Sequence, residues 1–127
     1  CDQDGHSRFC ARLSAFTLWS SWWEGVRVSP TFQEDCKCLV VPPPGFAAAS
    51  WPLPVLLFLT GVGHVNGKES FLQGGVDLLL RNPVVRQHCI VVALLPTTRC
   101  GVVRMNSRGK LAWREDAVWI VFTEVLR

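Results

Sequence analysis

Apolar residues in this chain gather into short unbroken runs separated by proline and glycine. Lys37 to Val41 reads as a strand, stopped by Pro42, Pro43 and Pro44, because proline cannot donate to a ladder. Val55 to Leu59 and Cys89 to Leu95 are apolar at every position, as expected of strands covered on both faces. Between them the period changes. Val76, Leu79 and Leu80 fall at i, i+3 and i+4, one apolar face of a helix. Ser70 and Gln73 form a capping box for a helix over Ser70 to Arg81. Gly74 and Gly75 cost it about 1 kcal/mol each relative to alanine, which moves its start toward Val76. Asn82-Pro83 is expected to end it. Strand, helix and strand in about 40 residues make a βαβ unit, hence a parallel pair with a right-handed crossover.

The flanks are less regular. Residues 1–35 form a poorly legible N-terminal segment in which Trp19, Trp22 and Trp23 cluster. They read either as core or edge contacts, since Trp is highly buried on average, or as a partner surface. Gly45 to Trp51 reads as a connector, and Thr97 to Lys110, polar and glycine-containing, as a loop. The last stretch, from Glu115, places Val118, Val121, Phe122 and Val125 opposite Asp116, Thr123, Glu124 and Arg127 at helical spacing. Its β-branched content suits a strand, but the two-sided pattern and the leading Glu115-Asp116 favour a helix. Residues 36–127 are therefore expected to form an α/β domain.

With 127 residues the chain is long enough for one domain with a real core. At 49% hydrophobic and 18% charged it belongs with globular chains. The net charge of +3 is small and Lys and Arg are scattered, so nothing points to nucleic acid. No apolar run approaches the ~20 residues of a membrane span. Arg8 and Arg12 precede an apolar stretch, but Ser20 and Ser21 break it and no small-residue cleavage site follows. The chain begins with Cys1 rather than Met, as a fragment or processed piece would. The cysteines, at 1, 10, 36, 38, 89 and 100, are irregularly spaced. They read as free thiols of a reducing, cytoplasmic protein, with Cys89 a small buried thiol.

The chemistry lies in the turn after Leu59. Thr60-Gly61-Val62-Gly63 closes an apolar run with glycines, which turn sharply and bring backbone N–H groups close to a bound group. Upstream is K-C-L-V-V-P-P-P-G-F (Lys37 to Phe46); downstream are the helical stretch and H-C-I-V-V-A-L-L-P (His88 to Pro96). The segment resembles the N-terminal half of an α/β-hydrolase of the esterase, polyhydroxybutyrate-depolymerase or small-peptidase kind. In that family a strand ends in a His-Gly-x-Gly oxyanion loop, a helix follows, and the next strand ends in proline. The resemblance implies a partial α/β-hydrolase-like, mostly parallel sheet with flanking helices. It makes Gly61, Val62 and Gly63 the oxyanion loop, with the Val62 N–H as a donor. Thr60 stands where the family has His, and His64 where it often has an acid. A tight βα turn without catalytic role is the plain alternative.

The nucleophile elbow G-x-S-x-G has no counterpart. Ser7 in G-H-S-R-F lacks the second glycine, and Ser107 in M-N-S-R-G lacks the first. No catalytic triad can be assigned. Cys36-x-Cys38 has no second pair at zinc spacing, and His6, His64 and His88 lie far apart. No metal site or cofactor is expected. G-V-G-H-V-N-G does not open into a helix as a nucleotide fingerprint does. The expectation is the N-terminal portion of an esterase-like hydrolase, acting on a small acyl or ester substrate only when complete, and self-associating through an open sheet edge. The rival is a non-catalytic binding domain that uses its Trp-rich N-terminal segment.

Overall fold

A computed structural model of the chain describes residues 21–44, 53–59 and 76–127. Its strands are β1 (Trp22–Val26), β2 (Cys36–Val41), β3 (Val55–Leu59), β4 (Ile90–Leu94), β5 (Val103–Met105) and β6 (Leu111–Trp113). Its helices are α1 (Asp77–Leu80), α2 (Pro83–His88) and α3 (Glu115–Val125). The first four strands form one sheet in the order β1-β2-β4-β3, and β5 and β6 form a separate hairpin.

β3 and β4 pair in parallel, with Val55 beside Ile90 and Leu59 beside Leu94. This is the pairing expected of the βαβ unit. The sheet as a whole is mixed rather than mostly parallel: β1 with β2 and β2 with β4 are antiparallel. A short loop joins β1 to β2, and adjacent strands so connected must run in opposite directions. β1 itself falls in the stretch that was illegible in the sequence.

Period-two alternation sorts the sheet residues onto two faces. One face carries Trp22, Val26, Cys36, Cys38, Val40, Ile90, Val92 and Leu94, packed with Val102, Val103, Ala117, Val118, Val121 and Val125. The β5–β6 hairpin and α3 therefore cover it. The other carries Leu39, Val41, Val91, Ala93 and Leu95, packed with Val76, Leu79, Leu80 and Val85 of the α1–α2 region. Helices lie on both faces, and β4 is buried along its whole length. Each fully buried Val, Leu or Ile contributes about 1.5–3 kcal/mol, so β4 anchors both layers.

The expected C-terminal helix is present as α3, with Val118, Val121 and Val125 buried and Glu115 and Asp116 in its first turn. The Asp116 carboxyl is held below the usual carboxylate range, chiefly by a hydrogen bond from the Ala117 backbone and also by the Arg114 guanidinium.

One local expectation is extended and others are corrected. Asn82-Pro83 starts a helix as well as ending one: Asn82 Oδ1 accepts from the N–H groups of Val84 (3.0 Å) and Val85 (3.3 Å), capping α2. Pro83 then occupies the first turn, where its missing N–H costs nothing. The stretch 97–110, read as loop, contains β5. Cys89, read as a buried thiol within a strand, is half-buried and lies just before β4, following His88 at the end of α2. β3, read as covered on both faces, is an edge strand among the described residues, and its own residues are half-buried or exposed. The expected helix start at Ser70 lies outside the described residues, and the described helical turn begins at Asp77.

Candidate functional site

The parallel register fixes one end of the sheet as the candidate site. Leu59 and Leu94 are paired at the carboxyl ends of β3 and β4. The antiparallel β2 brings its first residues to the same end, where Cys38 pairs with Leu94 and the Leu95 N–H donates to the Lys37 carbonyl at 2.9 Å. Open α/β sheets bind ligands at this end. Gly61, Val62 and Gly63, the oxyanion-loop candidates, follow Leu59 in the chain after Thr60 alone and lie outside the described residues, as do Thr60, His64 and Trp19.

Beyond β4 the chain runs through buried Leu95 and Pro96 to Thr97. The Thr97 Oγ1 atom is buried and without a hydrogen-bond partner among the described residues. It was missed in the sequence because a lone Thr after an apolar run carries no motif. The turn that follows is held from several sides. Cys100 forms a disulfide with Cys36, the first residue of β2, across 64 positions of chain with Cα atoms 5.0 Å apart. Arg99 pairs with Glu34 at 3.2 Å. The Arg114 guanidinium donates to the Gly101 carbonyl at 3.2 Å and lies 5.9 Å from the centroid of the Phe32 ring. The disulfide corrects the expectation of free thiols at these two positions. Both sulfur-bearing residues are buried, and their proximity depends on a fold that sequence spacing does not display.

Two clefts flank the sheet. One of about 300 Å³ is lined by Trp23, Glu24, Gly25, Lys37 and Leu95, at the carboxyl end of β4. The other, about 410 Å³, lies at the opposite end against Val41, Pro44, Arg81 and Arg86. Neither holds a nucleophile with a base. Cys38 is buried, and its thiol is pushed up to about 12, first by burial and then by the charge of Glu24. It is therefore protonated at neutral pH and unreactive. Ser107 lies in the β5–β6 turn rather than between a strand and a helix. No group of three or more His, Cys, Asp and Glu suited to a metal occurs among the described residues. No described helix is long and apolar enough to cross a membrane.

No family model, curated protein or solved structure matches the chain. The site therefore rests on geometry and on the residues themselves. The described part supplies a scaffold: a parallel strand pair, its carboxyl end, and a tightly tied corner beside it.

Trp22, read in the sequence as either core or surface anchor, is core. It is 7% exposed, and its indole N–H donates to Glu24 Oε1 at 3.0 Å. Glu24 lies on the same face of β1 and opposite Cys38. Trp23, on the other face, is half-buried against the Leu39 and Val41 cluster.

Proposed function

We propose that this chain is the N-terminal portion of an esterase-like α/β-hydrolase, in which the loop Gly61–Gly63 supplies an oxyanion donor for hydrolysis of a small carboxylic ester or related acyl bond. The observation that carries the proposal is the placement of β3. It pairs in parallel with β4 across a connection that contains α1 and α2, yet among the described residues it stands at the sheet edge. All of its residues are apolar, with Leu56 36% and Leu59 37% exposed. An apolar strand of this kind suits a sheet that continues on its free side. A further strand there would make the carboxyl end of β3 the point where strand order reverses, and such points hold ligands in open α/β sheets. Gly61 to Gly63 follow that end in the chain after Thr60 alone.

The rival, a binding domain anchored by Trp19, Trp22 and Trp23, draws less support. Trp22 is committed to the core and cannot serve as a surface anchor.

Sequencing the native transcript beyond the Arg127 codon tests the proposal. The expected result is a G-x-S-x-G between a strand and a helix, followed by Asp or Glu and then His. The full-length protein should then be labelled by a fluorophosphonate and turn over p-nitrophenyl acetate, both lost when that Ser is changed to Ala. The 127-residue chain alone should do neither, since an oxyanion donor and binding leave only weak residual catalysis. A transcript without the elbow, or stoichiometric labelling of this chain at one serine, would overturn the assignment.

A further inference from the structure

We infer that Cys36–Cys100 is a structural clamp, formed in an oxidising compartment, that holds the turn after β4 against the start of β2 at the candidate-site end of the sheet. The inference is independent of the hydrolase reading. Both cysteines are 0% exposed, and the link spans 64 residues, so it closes β2 and the whole βαβ unit into one loop. The residues around it converge on the same corner. Arg99 pairs with Glu34, Arg27 with Asp35, and Arg27 also donates to the Phe32 carbonyl at 2.6 Å. Ion pairs this exposed contribute little alone. The covalent link is what fixes the β1–β2 loop to the turn at Thr98–Gly101.

Formation is a two-electron oxidation. Two thiols lose two protons and two electrons to a protein or small-molecule disulfide, whose S–S bond breaks to give two thiols as the Cys36–Cys100 bond forms. Cys38, two residues along and on the same face, is the obvious competitor. Exchange requires a thiolate with access to the disulfide. Cys38 is 1% exposed and its thiol is held protonated by burial, so it does not exchange. Such pairings persist in oxidising compartments and are rare in the cytosol, which reverses the cytoplasmic expectation. Reductants reach the buried sulfurs only when the corner opens, so the clamp resists millimolar glutathione under native conditions.

Acid-quenched protein from oxidising expression, alkylated with N-ethylmaleimide in denaturant, decides the pairing by peptide mapping. Tryptic cleavage after Lys37 separates Cys36 from Cys38, so the two partners are told apart. The expected result is a Cys36–Cys100 linked peptide with Cys38 and Cys89 alkylated. Alkylated Cys36 or Cys100, or a Cys38–Cys100 link, would overturn the inference. Amide hydrogen exchange reads the clamp. Reduction should accelerate exchange at residues 97–102 at least tenfold while β4 stays protected, with Tm lower by roughly 10 °C. Unchanged exchange at 97–102, or equal loss across β4, would refute the clamp. The Cys36→Ala/Cys100→Ala double variant should match the reduced wild type; if it fails to fold, the wild-type measurements still decide.

Discussion

The ring of Phe32 occupies the space beside Gly101 where a side chain would otherwise be. A Cβ built at Gly101 meets three carbons of that ring, the farthest at 2.7 Å, and Gly101 has φ +88°. The left-handed backbone and the close approach both require glycine. Gly101→Ala should therefore cost about 3 kcal/mol, from backbone strain plus overpacking, and lower Tm by roughly 10 °C. Gly109 is the internal control. It also has positive φ, +74°, but nothing lies within 4 Å of its added Cβ. Gly109→Ala should cost only about 1 kcal/mol. Equal losses in thermal melts would show that the Phe32 contact contributes nothing.

Asn82 offers a smaller test of the same kind. Its side chain caps α2 through the N–H groups of Val84 and Val85. Asn82→Ala should destabilise the protein by about 1 kcal/mol, whereas Asn82→Asp, which keeps the acceptor, should be near neutral. Urea titration reads both. An Asp variant as weak as the Ala variant would mean that the cap is not what Asn82 supplies.

That cap also shows where sequence reasoning stops. Asn-Pro signals a break, and a break ended the expected helix correctly. Whether the chain then turns away or begins again depends on tertiary space on the sheet face, which no local pattern encodes. β3 and β4 make the point more sharply. V-L-L-F-L and I-V-V-A-L read alike, yet β4 is buried throughout while β3 is half-open. An apolar run announces a strand, but not its neighbours or their direction, so the parallel pair was legible through the helix between its strands and the antiparallel β1 and β2 were not. β5 and β6, three residues each, are too short to display a period. Cys36 and Cys100 meet only once the sheet is built. For the candidate site, the motif Gly61–Gly63 lies outside the described residues, and what was legible was the parallel pairing of the strand before it with β4. The buried Thr97 hydroxyl was not.

Cys38 makes stability depend on alkaline pH. Its thiol is pushed from 9.0 to about 12 by burial and, secondarily, by Glu24. The folded state thus holds this proton more tightly than the unfolded chain. The stabilisation is fully present below the unfolded pKa and is lost as pH rises from about 9 toward 12, at up to about 1.4 kcal/mol per pH unit. Cys38→Ala should remove that slope between pH 9 and 11, at the cost of a small cavity. Urea titrations across this range, wild type against variant, measure the difference. Parallel curves would mean that the thiolate is accommodated without penalty. At neutral pH, Cys38 in the folded protein should also resist N-ethylmaleimide until denaturant is added.

The last expectation concerns β3. Among the described residues it pairs with β4 alone, its five positions carry neither charge nor proline, and Leu56 and Leu59 are exposed on opposite faces. An uncharged edge strand invites pairing with another chain. Each uncovered large apolar side chain forgoes about 1.5–3 kcal/mol of burial, against a total stability of about 5–15 kcal/mol. The chain expressed alone should therefore dimerise or aggregate through β3, and Leu56→Lys, which places a charge on that edge, should weaken association at least tenfold. Sedimentation velocity over a concentration series, with thermal melting, measures it. A wild-type monomer with one cooperative transition near ~60 °C, ordinary for a complete mesophilic domain, would mean that the chain completes its own core. The sheet would then have no need of a further strand beside β3, and the non-catalytic binding domain would become the better account.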